Sequence, residues 1–115
     1  MTTQALQDND LFQTGYLVNG EWCHLDATFD VLNPATGEVV AKVAKAGKHE
    51  TEQAIAAAAK AFPQWRAKTA KARSELLYRW YQLMIENKSW LARLMTIEQG
   101  KPLKEAEGEV AYAAS

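Results

Sequence analysis

The chain of 115 residues has few of the residues that mark non-globular proteins. It holds one cysteine, three prolines and six glycines. One cysteine cannot form an internal disulfide, which excludes a disulfide scaffold and suits a reducing cytoplasm. With 48% hydrophobic and 23% charged residues, the composition is typical of one globular domain, and not of a disordered tail or a collagen-like repeat.

The sequence also lacks an excess of charge of either sign and a long apolar run. Thirteen basic against fourteen acidic residues leave a net charge of −1, whereas a nucleic-acid-binding surface needs dense basic residues to displace counterions. The longest apolar run, Ala54–Ala59, is too short to cross a bilayer. Residues 1–12 hold no Lys or Arg and no apolar core, so they do not resemble a signal peptide. We expect a cytoplasmic protein with no nucleic acid and no membrane as partner.

Two turn signals between short apolar segments predict two β-hairpins. Asn19 and Gly20 accept the positive φ angles of a type I′ turn. In the second hairpin Pro34 fixes the turn and Gly37 can take its left-handed corner. The strands expected from this pattern are Tyr16–Val18, Glu21–Cys23, Phe29–Leu32 and Glu38–Val43.

The last of these strands has an alternating pattern. Val39, Ala41 and Val43 alternate with Val40 and Lys42. Successive side chains of a strand point to opposite faces, so this alternation predicts that the first three residues form one apolar face.

After Gly47 the apolar period changes from two to about 3.6, which predicts helices. The first predicted helix spans His49–Phe62 and is expected to end at Pro63. Its start is poorly capped, because Lys48 favours neither the cap position nor the helix dipole.

Three further amphipathic helices follow. Thr69 is expected to cap the start of the second helix and Ser89 the start of the third. The third helix should end at Gly100, which can adopt a left-handed conformation, and at Pro102, which has no backbone N–H to donate. The fourth begins near Pro102. The apolar residues expected to share inward faces are Ala72, Leu76, Trp80, Leu83 and Met84, then Leu91, Leu94 and Met95, then Leu103, Ala106, Val110 and Ala113.

The inventory of elements fits the opening part of a larger protein. The fourth helical pattern runs to Ser115 without Gly, Pro or a basic last turn. A two-stranded hairpin is marginal alone and needs a larger sheet or a helix to cover it. We expect residues 1–14 to be a flexible N-terminal lead and residues 15–115 to be folded.

No residue pattern predicts an active site within this chain. Cys23 and His24 are a nucleophile and a base by type, but neighbours on a strand point to opposite faces. His49 has no second His or Cys at ligand spacing. The spacing of two between Glu105, Glu107 and Glu109 spreads them around a helix, so they cannot form a facing acid–base pair.

Cofactor and stacking motifs are missing as well. The glycine spacings make neither GxGxxG nor a phosphate loop, so no dinucleotide cradle is predicted. Without interleaved basic residues, the aromatic residues Trp65, Tyr78, Trp80, Tyr81 and Trp90 are expected to pack in a core. The sequence therefore predicts no catalytic, cofactor-binding or metal-binding residue.

The order of the motifs is more specific than any one of them. They are Tyr16–Trp22, Asn33–Val39, Phe62–Trp65 and Glu98–Leu103. Taken together, they resemble the N-terminal part of an aldehyde dehydrogenase. The stretches Arg79–Met84, Leu91–Thr96 and Gly108–Ser115 are similar to its NAD(P)-dependent succinate-semialdehyde dehydrogenase branch.

This resemblance implies a protein several times as long, with the α/β aldehyde dehydrogenase fold. Residues 15–115 would form a truncated first part of the cofactor-binding domain. In the full-length enzyme, a cysteine thiolate attacks the aldehyde to form a thiohemiacetal, and hydride passes to NADP or NAD. Those groups would lie after residue 115, so the chain alone is expected to be inactive. Its partners would be the remainder of the dehydrogenase chain and further copies in a homo-oligomer.

Two alternatives stay open at this point. The family resemblance is equally compatible with a glutarate-semialdehyde or other aldehyde dehydrogenase. A non-catalytic α+β interaction module could instead use the stripe of Leu103, Ala106 and Val110 as a docking surface.

The resemblance also implies a weaker feature. Some family members hold a monovalent cation near an acidic position that matches Glu98 and a main-chain carbonyl near Val31. Glu98 fits a carboxylate at a helix end equally well.

Overall fold

The computed structural model describes residues 3–115. Within this range the chain forms two separate antiparallel hairpins followed by four longer helices. In chain order the elements are α1 Thr3–Gln7, β1 Tyr16–Val18, β2 Glu21–Cys23, β3 Thr28–Leu32, β4 Val39–Ala44, α2 Lys48–Ala67, α3 Ala70–Glu86, α4 Lys88–Gln99 and α5 Leu103–Ala114. The α/β class and the order of hairpins and helices are confirmed.

The first hairpin has the predicted strands and turn. Tyr16 pairs with Cys23 and Val18 with Glu21. Asn19 and Gly20 have φ angles of 53° and 80°, as a type I′ turn requires. The two-residue signal was sufficient here because the turn itself sets the register.

The second hairpin departs from simple alternation. Leu32 pairs with Val39 and Val31 with Ala41, so Val40 is an extra residue opposite this step. Such a bulge re-aims the side chains around it. The predicted apolar face was therefore wrong at this end of the strand: Val40 is 2% exposed, whereas Val39 is 47% exposed.

A short helix lies within the predicted N-terminal lead. Leu6 of α1 is completely buried. The side-chain amide of Gln7 donates a hydrogen bond to the backbone carbonyl of Val40 at 2.7 Å. A helix of five residues is too short to show a 3.6-residue period, so its tertiary contacts were not predictable from the pattern. The domain boundary after residue 14 stays a prediction.

Helix α2 is longer than predicted at both ends, and Pro63 lies inside it. Proline removes one helical N–H and leaves the carbonyl four residues earlier without its partner. Because no residue of α2 is buried, water can hydrogen-bond to that carbonyl and the helix continues to Ala67. Its start is also better capped than Lys48 suggested, since the Glu50 carboxylate accepts from the Gly47 N–H at 2.7 Å.

The next two helices meet at Asn87. Thr69 caps α3 as predicted, and its hydroxyl accepts from the Ala72 N–H at 3.2 Å. The prediction that Ser89 caps α4 was wrong, because Asn87 holds the N-cap position. The Asn87 amide donates back to the Leu83 carbonyl at 2.9 Å, so its side chain serves the end of α3.

Helices α4 and α5 form the main buried cluster of the described chain. The left-handed cap at Gly100, with φ 84°, turns the chain into α5 as predicted. Ala92 of α4 packs with Ala106 and Val110 of α5, and these three side chains are 0–4% exposed. Their small size allows the two helices to approach closely.

Candidate interaction surface

Helices α2 and α3 present large apolar side chains that the described chain leaves mostly uncovered. Neither helix has a buried residue. The predicted inward face of α3 is largely in solvent, with Trp80 64% exposed. The expectation that the aromatic residues pack in a core holds only for Trp90; Trp65, Tyr78, Trp80 and Tyr81 are all exposed. Their pattern was typical of burial, but no segment among residues 3–115 buries them.

A groove lies between α3 and the end of α5. Its volume is about 690 Å³. Tyr78 and Tyr81 stack along it with ring centroids 5.5 Å apart. No charged side chain lines it; the lining residues are Ser74, Leu77, Tyr78, Trp80, Tyr81, Met84, Ala113, Ala114 and Ser115. We call this the α3–α5 groove.

A smaller groove of about 330 Å³ lies between α4 and α5. Apolar side chains such as Leu94, Met95 and Val110 line it together with Glu98. Partial burial raises the pKa of the Glu98 carboxyl above its ordinary value, since a desolvated carboxylate is less stable than the acid. Val31 is not among the residues that line this groove.

The nucleophile and base considered from the sequence do not form a catalytic pair. The half-buried Cys23 thiol lies 3.8 Å from the carbonyl of Glu21, and His24 is exposed. Tyr16, opposite Cys23 in the hairpin, has a raised pKa because of burial and, secondarily, the neighbouring Cys23 and Glu50. Among the described residues, no hydrogen bond joins the Cys23 thiol to the His24 side chain.

The metal and acid–base candidates are surface groups. His49 is exposed, and its Nε2 lies 3.1 Å from the amide nitrogen of Gln53. Within residues 3–115 there is no group of three or more His, Cys, Asp or Glu that could hold a metal ion. Glu109 forms an ion pair with Lys101, and Glu105 lies exposed in the first turn of α5.

The two larger grooves lack the features of a dinucleotide site. Pyrophosphate binding uses a glycine-rich turn that leads into a helix N-terminus, or basic side chains. Neither of the two larger grooves has a basic side chain. At the start of α2, the Gly47 N–H already donates to the Glu50 carboxylate. The lining of these two grooves therefore does not fit NAD or NADP. None of the described helices is long and apolar enough to cross a membrane.

The extent of the exposed surface is unusual for a domain of this size. A compact protein of this mass exposes about 6,300 Å², whereas this chain exposes 8507 Å². Its radius of gyration is 16.6 Å, against about 13 Å for a compact domain of this length. The chain is therefore less compact than a globular domain of its length.

Comparison with known proteins identifies relatives of this arrangement. The Aldehyde dehydrogenase family profile matches residues 22–115. Over 112 residues, the chain is 60% identical to a glutarate-semialdehyde dehydrogenase of Pseudomonas putida, with 96% of the chain and 23% of that relative covered. It is 54% identical over 114 residues to the NADP-dependent succinate-semialdehyde dehydrogenase of Escherichia coli, with the same shares covered.

Solved structures agree with the sequence relatives. An NADP-dependent enzyme of E. coli superposes with a TM-score of 0.90 at 52% identity, over 94% of this chain and 23% of that one. A succinate-semialdehyde dehydrogenase from Burkholderia pseudomallei superposes with a TM-score of 0.85 at 52% identity, over 91% and 22%. The chain spans less than a quarter of the length of these relatives. The extent of these matches shows that the chain belongs to the aldehyde dehydrogenase family.

Proposed function

We propose that this chain is a structural segment of an NAD(P)-dependent semialdehyde dehydrogenase and supplies the first part of its cofactor-binding domain. The observation that carries this proposal is the 54–60% identity to succinate- and glutarate-semialdehyde dehydrogenases over nearly the whole chain, within only 23% of their length. The reaction of the complete enzyme would convert an aldehyde that also carries a carboxylate into a dicarboxylate.

The physical support is the surface left open by α2 and α3. The chain exposes about 2,200 Å² more than a compact protein of its mass. One partner in a standard protein–protein interface contributes only about 800 Å². The excess favours continuous cover by a larger body of protein over a module that folds alone and docks through the stripe of Leu103, Ala106 and Val110. Two of those residues, Ala106 and Val110, are already buried.

Succinate semialdehyde is the leading substrate and glutarate semialdehyde the second candidate, which the 60% identical relative favours. The two molecules differ by one methylene. A pocket distinguishes one methylene by about 1–3 kcal/mol. Neither of the two larger grooves has a basic side chain to bind the substrate carboxylate.

The remaining properties belong to the complete enzyme. We expect it to use NADP or NAD as hydride acceptor, to form a homo-oligomer and to be cytoplasmic. This chain would contribute position and shape: its hairpins and helices would pack beside the nucleotide-binding part, and no reacting group would come from residues 3–115.

A two-part assay tests the proposal. Residues 1–115 alone should reduce neither NAD nor NADP with succinate semialdehyde, whereas the full-length enzyme should do so. Joining residues 1–115 to the remainder of the E. coli relative should give an active enzyme, and kcat/KM for the two semialdehydes ranks the substrates. Turnover by the isolated chain that survives Cys23→Ala would contradict the proposal, because it would require a site that the described residues do not form.

A further inference from the structure

Helix α4 carries three buried polar side-chain atoms that have no hydrogen-bond partner within residues 3–115. They are Trp90 Nε1, Arg93 Nε and Thr96 Oγ1. Their spacing of three residues places them along one side of the helix. Folded proteins leave few buried donors unpaired, because each costs the desolvation of a polar group. Three in succession on one helix face indicate a missing acceptor.

Two of these residues line a small notch. Arg93 and Thr96 enclose a space of about 200 Å³ together with Ile97 and Leu103. We call it the α4 notch. None of the four ion pairs of the described residues includes Arg93. The Thr96 hydroxyl also makes no hydrogen bond back to its own helix, although a threonine within a helix often does.

The chemistry of the α4 notch selects its ligand. The Arg93 side chain is always ionised, and its Nε–H is buried without an acceptor. A negatively charged acceptor gives such a donor a stronger, charge-assisted hydrogen bond than a neutral acceptor does. A backbone carbonyl would satisfy a donor but not the charge. One carboxylate offers two oxygens, enough to accept from the guanidinium and from a hydroxyl one turn away.

We propose that Arg93 and Thr96 hold the side-chain carboxylate of an Asp or Glu that lies outside residues 1–115 in the same dehydrogenase polypeptide. This inference rests on the proposed function, which supplies that polypeptide. The chain exposes about 2,200 Å² more than a compact protein of its mass, whereas one partner contributes about 800 Å² to a standard interface. We therefore place the carboxylate in the same polypeptide and not in a second copy. Arg93 is thus a positioning residue that joins α4 to the rest of the enzyme.

Carbodiimide cross-linking of the full-length enzyme tests this contact. Arg93→Lys puts an amine in the α4 notch, and carbodiimide joins an amine to a touching carboxylate with loss of water. Peptide mapping should find an amide bond from position 93 to an acidic residue outside residues 1–115 of the same chain. The parent enzyme is the matched control, because carbodiimide does not couple the guanidinium of Arg93 and should give no such product at this position. A cross-link to a second copy, to an acid within residues 1–115, or to nothing would overturn the proposal.

A stability measurement on the same enzyme gives an independent readout. Arg93→Met leaves the partner carboxylate without its cation, so the melting temperature should fall by about 3 °C or more. Lys45→Met, at an exposed position outside the helices, should leave it within about 1 °C. Equal shifts for the two variants would contradict the proposal. Semialdehyde oxidation by the parent enzyme is measured separately: its absence beside a specific cross-link would refute the proposed function and leave the contact standing.

Discussion

The helix pairs α2–α3 and α4–α5 have similar amphipathic patterns but opposite surroundings. Ala92, Ala106 and Val110 pack α4 against α5 with 0–4% exposure, whereas α2 and α3 contain no buried residue. The difference shows that an apolar stripe alone does not tell whether a helix is covered within the same stretch of chain. Within residues 3–115, α4 and α5 bury side chains between them, whereas α2 and α3 bury none.

The largest expected effect is a charge placed in the α4–α5 cluster. Ala106 is fully buried, so Ala106→Asp should destabilise the chain by about 3 kcal/mol or more and remove most of its helical circular dichroism signal. Tyr112→Asp is the control on the same helix, because Tyr112 is 81% exposed. If both variants keep the same helical signal, α4 and α5 do not form the stable part of the chain.

The next effect should depend on which protein carries the substitution. In isolated residues 1–115, Trp80→Ala should change the free energy of unfolding by less than about 0.5 kcal/mol, because Trp80 lies mostly in solvent. In the full-length enzyme the same change should cost about 3 kcal/mol, since it would leave a cavity. Urea unfolding of both proteins measures the difference; equal costs would mean that α3 is not covered in the enzyme.

A moderate effect is expected at the start of α3. Thr69→Ala removes the hydroxyl that accepts from the Ala72 N–H and should cost about 1 kcal/mol in the isolated chain. Ser74→Ala is the control, because Ser74 is exposed within the same helix and alanine is a good helix former there. A loss at Ser74 as large as at Thr69 would show that the cap does not stabilise α3.

The smallest expected effect is a dependence of stability on pH, which has opposite signs for Glu50 on α2 and Glu98 on α4. The hydrogen bond from Gly47 lowers the pKa of Glu50 at the start of α2, so its contribution is present above the unfolded pKa of about 4.3 and is lost as pH falls through the folded value. Burial raises the pKa of Glu98 on α4, so its contribution is largest at low pH and is lost as pH rises through the folded value. Carboxyl NMR titration should show Glu50 below and Glu98 above that reference; the reverse order would contradict both environments.

Local features were the most predictable part of the fold. The turn at Asn19 and Gly20, the cap at Thr69 and the left-handed Gly100 depend on residues close in sequence, and the structure confirms them. The bulge at Val40 depends on how β3 and β4 pair. The position of Asn87 depends on its hydrogen bond to the end of α3. The spacing of apolar residues shows neither of these contacts.

The candidate surface was only partly predictable. The apolar stripe of α3 was apparent from Leu76, Trp80 and Leu83, but its exposure was not, because a stripe looks the same whether or not its cover belongs to the chain. Arg93 gave no signal at all: an arginine on an amphipathic helix is an ordinary surface charge until the structure shows its Nε buried and unpaired.

Amide hydrogen exchange tests the central claim most directly. The rates of α2 and α3 should be measured in isolated residues 1–115 and in the full-length dehydrogenase under the same conditions. We predict that the α3 amides, Ala70–Glu86, exchange far more slowly in the full-length enzyme, because its remaining polypeptide covers Trp80 and the α3–α5 groove, while the α4–α5 amides change less. Equal rates for α3 in the two proteins would contradict the claim that the remaining polypeptide of the enzyme covers this helix.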